Sequence, residues 1–404
     1  MKMILQFMFA LASPACLFFP GDAGAQTRYV GAPVFLGYTD QPAGTLQEVG
    51  DIAAFRKTFG TAPVAQAVGK QTDALPDFLL DHALQLFWAN GGQKAHVLST
   101  GQFSIQGKNP AAAHFTSVLR KLQNPSGPTL ILMPDAVQLP LSDYMAVCKA
   151  ALSHAAAYKQ FVILDVQAAE KGDTPFSVAA FCMGIGTQHL SYGAAYWPYL
   201  QTQLPLSAAG NRAILPPSAA VAGNMVSNDL GKGIWKAPAG TSLRAVAAPV
   251  VAISTAENEQ LTRHSIGISI NAIRTFTGKG TLVWGARSLA ANDRDWQYLS
   301  VRRLANHLER DVIVLTAFAA SQPNNPATWQ QVKAVLENRM MDLFRQGAFP
   351  GNKPEEAFFV KVGLGETMTQ ADLQSGRMKL FIGFAPLRPA EFVVLHIEQK
   401  AGNP

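Results

Sequence analysis

The sequence predicts an α/β layer domain followed by a C-terminal part of α+β character. Short, continuous apolar stretches alternate with helical patterns between about residues 95 and 166, which is typical of a parallel sheet covered on both faces. The last third carries a long helix and closes on alternating strands. With 404 residues, the chain is long enough for two or three domains.

The first elements end at glycines. The stretch GAPVFLGYT (31–39) predicts a short buried strand, and residues 49–60 predict a short amphipathic helix. Residues 75–92 predict a second helix that stops at Asn90-Gly91-Gly92, because asparagine and glycine are frequent at helix C-termini. The strand AHVLST follows.

The next elements alternate in type. The pattern predicts a helix near 110–122, the strand TLILMP (129–134), a helix over 141–158 and the strand FVILDV (161–166). Residues 190–248 hold tryptophans among prolines and glycines, which predicts long packed loops, and a strand is expected at 249–253.

In the C-terminal third, a helix is predicted to begin at Asn325-Pro326, because asparagine is a favourable N-cap and proline a favourable first helical residue. Apolar residues recur at helical spacing along it until Gly347. Two strand regions follow, AFFVKVGLG and KLFIGFAPLRPAEFVVLHIEQK. These elements give the last third an α+β character.

The composition indicates a chain that is buried against copies of itself or a partner. Hydrophobic residues make up 48% and charged residues only 15%. The net charge of +6 is spread along the chain without a run of five like charges, so a nucleic-acid surface is not indicated and an acidic protein partner is favoured. Cys16, Cys148 and Cys182 form no CxxC and are expected to be reduced, buried thiols.

The start of the chain allows two interpretations. Residues 1–26 have Lys2, an apolar stretch and Ala-Gly-Ala before Gln26, as in a signal peptide. The same residues could form an apolar arm that docks on a neighbouring subunit. Ser13 and Pro14 interrupt the apolar stretch, which argues against a membrane span.

One segment resembles a catalytic motif. AGTSLRAVAAP (239–249) is similar to the segment around the nucleophile of subtilisin-like proteases, with Ser242 in its place. A subtilisin histidine precedes a glycine, whereas none of the eight histidines here does. Asp135 and Asp165 stand at strand ends and are expected to cap helices, so Ser242 is interpreted as a loop residue. No metal-ligand spacing and no dinucleotide fingerprint is present.

Two C-terminal helices carry basic residues: Arg302, Arg303 and Arg310 on one, and Lys333, Arg339 and Arg345 on the next. They predict either a solvated face with intrahelical pairs to residues such as Glu337 and Asp342, or a basic face that docks an acidic partner.

The C-terminal run decides the family. GTLVWGARSL, DWQYLSVRRLANHLE, TWQQVKAVLENRMMDLFRQGAF and VGLGETMTQADLQSGRMKLFIGFAPLRPAEFVVLHIEQK together resemble the C-terminal domain of contractile phage tail sheath proteins. Upstream, FWANGGQKAHVLS, TLILMPDA, AAYWPYLQ, LPPSAAVAGNMVSNDLGKGIWKAPAGT and NAIRTF follow in family order. The resemblance covers roughly residues 31–400. It is strongest to sheaths of phage-derived extracellular injection systems of the antifeeding-prophage type.

The resemblance implies a structural protein without enzymatic activity or cofactor. Subunits of this family stack as six-fold rings around an inner tube in a metastable state, then contract and drive the tube through a target membrane. The implied partners are other copies of the chain, the inner tube protein, and baseplate and cap proteins. No nucleic acid and no direct membrane insertion are expected, and assembly is expected in the cytoplasm, which disfavours a signal peptide.

The resemblance also divides the chain. It implies an N-terminal arm or signal-like segment (1–30), a part packing with the sheath core (31–100), a non-catalytic α/β domain of subtilisin-like shape (101–275) and a C-terminal sheath domain (276–404). The terminal strands of this last domain are expected to be exchanged between subunits. The C-terminal arm comprises Glu391, Phe392, Val393, Val394, Leu395, His396 and Ile397.

Single residues receive roles from the same resemblance. Trp284, Trp296 and Trp329 are expected to be core anchors. Arg287, Arg302 and Arg303 are expected to bind carboxylates within or between subunits. The residues expected to face the tube are Lys333, Arg339 and Arg345, followed by Arg302 and Arg303.

One departure leaves alternatives open. The Pro-Gly-Val-Tyr-type strand that begins most family members is absent, and the apolar segment stands in its place. A specialised sheath paralogue at the baseplate or cap is therefore the second hypothesis. A secreted serine hydrolase using Ser242 is a distant third, and no aromatic platform supports a carbohydrate-binding or surface-binding domain.

Overall fold

The computed structural model describes residues 30–63, 73–103, 110–167, 174–206, 210–387 and 393–401. The described residues divide into two compact units, one of residues 30–310 and one that follows Arg310. The division falls after Arg310, inside a helix, whereas the sequence places a domain boundary after residue 275. The strands within the described residues are β1 (Pro33–Thr39), β2 (Leu46–Val49), β3 (Ala95–Gln102), β4 (Leu130–Leu132), β5 (Phe161–Asp165), β6 (Gly193–Trp197), β7 (Leu200–Pro205), β8 (Arg212–Leu215), β9 (Val246–Pro249), β10 (Ile270–Phe276), β11 (Gly280–Val283), β12 (Phe358–Val362), β13 (Arg377–Phe384) and β14 (Val393–Lys400).

The first unit is built on an eight-stranded sheet with the order β11-β10-β6-β5-β4-β1-β3-β2. Its six inner strands are parallel, and the edge strands β2 and β11 are antiparallel to their neighbours. Every residue of β1, β5 and β6 is buried, so both faces of the sheet are covered. The predicted α/β layer is confirmed. Because β11 pairs with β10, the hairpin continues this sheet beyond residue 275.

Most predicted helices are present with small shifts at their ends. The helices are α1 (Ile52–Phe59), α2 (Leu80–Ala89), α3 (Ala112–Val118), α4 (Leu141–Tyr158), α5 (Thr174–Gly184), α6 (Ser218–Lys232), α7 (Thr255–Thr262), α8 (Leu299–Leu315), α9 (Pro326–Arg345), α10 (Pro354–Ala357) and α11 (Gln370–Gln374). Gly60 ends α1 with a positive φ of 80°, and α4 spans the predicted residues.

The prediction of long loops over 190–248 is wrong. This stretch contains β6, the three-stranded antiparallel sheet β8-β7-β9 and the buried helix α6. A Cβ added at Gly223 of α6 would lie 2.3 Å from the carbonyl oxygen of Phe87 in α2. The run of small residues after Pro217, which masks the helical pattern in the sequence, is what lets α6 approach α2 so closely.

The second unit is α+β, as predicted. Its three-stranded antiparallel sheet has the order β12-β13-β14. Helix α9 buries one face, which includes Trp329, Val332 and Leu336. After this helix, the ring centroid of Phe349 lies 5.8 Å from that of Phe384 in β13. Within the described residues, no helix is both long and apolar enough to cross a membrane.

Candidate assembly surfaces

Arg302 lies at the centre of a polar cluster in the first unit. Its guanidinium stacks 3.8 Å from the ring centroid of Trp296 and 4.6 Å from that of Tyr192. The same group donates to Asn306 Oδ1 at 2.8 Å and to Glu309 Oε1 at 2.7 Å. Lys159 Nζ lies 2.6 Å from the other oxygen of Glu309. These contacts attach the first half of α8 to the ends of α4 and of the loop before β6.

Arg303 forms a buried ion pair with Asp229 of α6. Its Nη1 donates to Asp229 Oδ1 at 3.1 Å, and its Nη2 donates to Asp229 Oδ2. Asp229 Oδ2 also accepts from the Gly31 N–H at 2.9 Å, where the described chain enters β1. Burial raises the pKa of Asp229, and the attraction of Arg303 opposes this rise. One carboxylate therefore fixes α6, α8 and the start of β1.

The prediction that Arg302 and Arg303 face the tube is wrong for this fold, because they are only 4% and 2% exposed. Both do bind carboxylates of their own chain, as expected for them. Arg287 does not: its Nη1 donates to the amide oxygen of Gln297 at 2.7 Å, and its guanidinium lies over the Tyr298 ring. The amide of Gln297 therefore accepts the hydrogen bond of Arg287 for which the sequence analysis expected a carboxylate.

The three tryptophans differ in burial. Trp329 is buried, and its Nε1 donates to Asn324 Oδ1 at 2.7 Å, which agrees with a core anchor. Trp296 is half-buried beneath the Arg302 guanidinium. The prediction for Trp284 is wrong, because the side chain is 41% exposed. A tryptophan directly after a buried strand predicts burial, but β11 ends at Val283 and the next residue leaves the layer.

The basic residues of α9 each have a carboxylate of the same chain nearby. Lys333 Nζ lies 3.9 Å from Glu337, Arg345 Nη1 lies 3.7 Å from Asp342, and Arg339 Nε lies 2.7 Å from Asp311. Lys333 and Arg345 have side chains 43% and 68% exposed, whereas Arg339 is 21% exposed. The intrahelical pairs predicted with Glu337 and Asp342 are therefore present. Such exposed pairs are weak, so they leave both cations available to a partner.

The predicted C-terminal arm lies mostly in β14. Val393 to Ile397 belong to this strand, and Glu391 and Phe392 lie outside the described residues. Strand β14 pairs with β13 of the same chain along its full length. Leu395 is buried in this pairing, and the ring of His396 lies 4.3 Å from that of Phe381.

The two strand-end aspartates hold helix N-termini. Asp135 accepts from the Leu79 N–H at the start of α2 and from the Tyr38 N–H at 2.9 Å, while Asp165 accepts from the Ser218 N–H at the start of α6 at 2.7 Å. Burial raises the pKa of Asp135 to about 6 and that of Asp165 to about 7. The expected capping role is present, although both helices are distant in sequence.

Ser242 has no catalytic surroundings in the described part of the chain. Its backbone forms an antiparallel bridge with Leu282 of β11. Among the described residues, no hydrogen bond joins the Ser242 hydroxyl to a histidine. The described residues also contain no group of three or more potential metal ligands. Residues that sequence reasoning missed are Lys159, Asp229 and Glu309. Lys159 and Asp229 contact α8 from elements far apart in the chain, so no sequence spacing pairs them with it. Glu309 follows Arg302 by two helical turns on α8, and this spacing was a signal that could have indicated the pair.

The fold is similar to solved structures of contractile sheaths. A chain of the anti-feeding prophage baseplate has 28% identity and a TM-score of 0.69, covering 96% of this chain and 100% of that chain. A chain of the contracted anti-feeding prophage helical sheath has 29% identity and a TM-score of 0.67, covering 95% and 99%. The contracted sheath complex of the extracellular contractile injection system PVC has 25% identity and a TM-score of 0.68, covering 97% and 99%.

More distant sheath proteins share the fold alone. The sheath tail protein of Desulfitobacterium hafniense has 9% identity and a TM-score of 0.60, covering 96% of this chain and 100% of that one. No protein-family model matches the sequence, and neither does any curated protein. The matches at 25–29% identity support assignment of the chain to the contractile tail sheath family. Within it, the likeness at 25–29% identity is to chains of extracellular contractile injection systems.

Proposed function

We propose that this chain is the structural subunit of a contractile sheath, which polymerises as a helical sleeve around an inner tube and contracts to drive that tube through a target membrane. The observation that carries the proposal is the match along nearly the whole chain to sheaths of contractile injection systems at 25–29% identity. Such a subunit needs two packings separated by a free-energy gap. The energy is stored at assembly, so neither nucleotide nor cofactor is required.

The proposed partners are other copies in six-fold rings, the inner tube protein, and baseplate and cap proteins. Assembly in the cytoplasm belongs to the same proposal, as does the subtilisin-like shape of the α/β layer. The enzyme hypothesis has little support, because the similar solved chains are structural sheath proteins. Fluorophosphonate labelling that is lost in Ser242→Ala would contradict this view.

Electron microscopy of the recombinant full-length chain tests the sheath proposal. We expect negative staining to show hollow, ridged sleeves, since contracted sheath subunits pack stably without other components. Monodisperse monomers over a range of concentrations would contradict polymerisation along a tube.

That negative result would favour the second candidate, a sheath paralogue that binds at the baseplate or cap. One observation already speaks for this candidate. Two of the similar solved chains come from baseplates of the anti-feeding prophage, with TM-scores of 0.69 and 0.71.

Exchange of terminal strands is the proposed link between subunits. Strands β12 and β14 form the two edges of the three-stranded sheet, so each has one side without a strand partner among the described residues. Open edges are templates for pairing with another chain. In the proposed sleeve, β14 of one subunit takes the place beside β13 of a neighbour.

A cysteine pair distinguishes exchange from pairing within one chain. Phe381 and His396 lie directly opposite each other on β13 and β14. With both replaced by cysteine and the native cysteines by serine, we expect a disulfide within one chain in monomers and a ladder of linked chains in oxidised sleeves. Sleeves that yield only monomers on a non-reducing gel would contradict exchange of β14.

The exposed face of α9 is the proposed contact with the inner tube, through Lys333, Arg345 and, more weakly, Arg339. In Lys333→Glu/Arg345→Glu we expect empty sleeves that still form but no longer enclose co-expressed tube. Lys353→Glu, at another exposed position, is the matched control. Sleeves that still enclose tube in both variants would contradict the proposal that α9 contacts the tube.

A further inference from the structure

The positive charge of this chain is concentrated in one stretch, contrary to the expectation that it is spread along the sequence. Residues 230–292 hold seven lysines and arginines but only two acidic residues, in a chain with a net charge of +6. Most of the net charge therefore comes from less than a fifth of the chain, which includes the segment from the end of α6 to β11.

The structure places several of these cations along one edge of the eight-stranded sheet. Residues 240–243 run beside β11, with the Gly240 N–H donating to the Val283 carbonyl at 2.8 Å and the Leu243 N–H to the Thr281 carbonyl at 2.8 Å. Lys236 precedes this segment, Arg244 follows it, and Lys279 lies in the turn before β11. We call Lys236, Arg244, Lys279 and Trp284 the tryptophan edge.

Trp284 is a fixed, exposed aromatic side chain on this edge. Its backbone N–H donates to the Ala272 carbonyl at 2.9 Å, and its ring lies 4.4 Å from that of Phe276. Asn271 Oδ1 accepts from the Arg287 N–H at 2.8 Å and holds the turn that follows. A ring that is 41% exposed yet held in place loses little freedom on binding, which is typical of a tryptophan anchor in a protein interface.

The three cations of the tryptophan edge are exposed and form no ion pair within the described residues. They differ in this from Lys333 and Arg345 on α9, which each have a carboxylate nearby. Helix α7 packs beside β10, but its Glu257 is engaged in a capping box and accepts from the Ser254 N–H at 2.7 Å. Since no carboxylate in the part of the chain that the structure describes forms an ion pair with these cations, the edge carries a positive potential.

We propose that the tryptophan edge docks another protein through carboxylates of that partner placed around an apolar side chain. A second copy fits less well, because this chain has a net charge of +6 and its less exposed carboxylates already form internal ion pairs. These are Asp81, Glu309, Asp229, Asp311, Asp372 and Glu398. The inference goes beyond the proposed function and holds whichever helix faces the tube.

Fluorescence anisotropy of the full chain with a labelled peptide of six glutamates around one central phenylalanine tests the docking. We expect Lys236→Gln/Arg244→Gln/Lys279→Gln to weaken binding about tenfold and to reduce its salt dependence. Trp284→Ala should weaken binding of this peptide, but not of an all-glutamate peptide. The controls Arg120→Gln/Lys121→Gln and Met183→Ala, also at exposed positions, should change affinity less than about twofold.

Equal losses in the edge and control variants, or no binding by the native chain, would overturn the proposal. Tighter binding of a single-stranded DNA of equal charge at the same residues would overturn the assignment to a protein partner. A third result is that the edge variants no longer form sleeves but bind the peptide as the native chain does. The edge would then be a contact between copies of the chain, so this inference would fail while the proposed sheath function would stand. Lys236→Glu retains Trp284 and its packing, so it tests the edge even if Trp284→Ala does not fold.

Discussion

Buried charges in the first unit are held by several partners each. Asp229 accepts from Arg303 and from the Gly31 backbone, and Glu309 binds both Arg302 and Lys159. Arg310 donates to the carbonyl oxygens of Pro128 and Gly127, and burial lowers its pKa to about 10. Since a buried charge without a partner is costly, these residues fix the position of α8 on the sheet.

Arg303→Met is expected to destabilise the fold by about 3–5 kcal/mol, because it leaves Asp229 buried without its partner. Urea denaturation followed by circular dichroism measures the loss. Arg345→Met is the matched control, since its exposed pair with Asp342 is worth at most about 1 kcal/mol. Equal losses in the two variants would contradict the role of the buried pair.

The raised pKa of the buried Asp165 carboxyl leads us to expect that the stability of the fold depends on pH. Burial raises its pKa to about 7 in the folded chain, against about 4 in the unfolded chain. Between these values only the folded chain keeps the proton, so the free energy of unfolding falls as the pH rises from about 4 to about 7. This contribution amounts to about 4 kcal/mol for a difference of three pH units.

Asp165→Asn keeps an oxygen that accepts from the Ser218 N–H, and we expect it to remove most of that decline. Asp135, whose pKa is raised to about 6 by burial, should leave a smaller decline in the variant. Melting temperatures between pH 4 and pH 8, compared with the exposed-site control Asp143→Asn, provide the measurement. Parallel profiles for native chain and variant would show that Asp165 titrates alike in both states.

Among the elements, α9 and the sheet it packs on define the second unit. Helix α9 begins at the Asn325 cap and buries one stripe, while its opposite face stays polar with nearly balanced charge. Strand β14 adds the third strand of the sheet, and its pairing with β13 uses backbone bonds that any chain with the same strand could supply. The helix therefore specifies the unit, whereas β14 is the strand that we propose is exchanged between subunits.

The cap of α9 gives an element-scale prediction. Asn325 Oδ1 accepts from the Thr328 N–H at 3.2 Å, so Asn325→Ala should lower the stability of the unit by about 1 kcal/mol. Asn325→Ser retains a hydrogen-bond acceptor at the cap, so its stability should fall by only a few tenths of that amount. Thermal unfolding followed by circular dichroism measures both, and an equal loss in the two variants would argue against capping.

For the whole molecule, a low content of charge and two distinct compact units agree with a subunit that repacks in an assembly. The sequence leaves open whether the apolar start of the chain is a signal peptide or an arm. The proposed assembly in the cytoplasm favours the arm, because exported subunits would leave that compartment.

The full-length chain is expected to form sleeves, and a chain that starts at Arg28 is expected to stay dispersed, because it lacks the proposed N-terminal link between subunits. Negative-stain microscopy and sedimentation of both chains at equal concentration provide the comparison. Sleeves of equal length from both would show that the first 27 residues are dispensable for assembly.

Local patterns predicted most elements of both units. Continuous apolar strands between helices gave the parallel sheet, and Asn325-Pro326 gave the start of α9, because the relevant interactions are made within a few residues. The stretch 190–248 was missed, since small residues, prolines and glycines weaken the hydrophobic periodicity that identifies a helix such as α6. Burial of Arg302 and Arg303 was missed because arginine patterns resemble those of a solvated helix.

By itself, the sequence determined the α/β and α+β character of the chain, the family resemblance and the presence of α1 to α4, α8 and α9, all of which depend on local spacing and residue type. Only the tertiary structure decided that Asp229 receives Arg303, that Trp284 is exposed, and that Lys236, Arg244 and Lys279 flank one sheet edge. The reason is physical: burial and charge pairing are set by residues distant in the chain, and these are brought together only when the sheet forms.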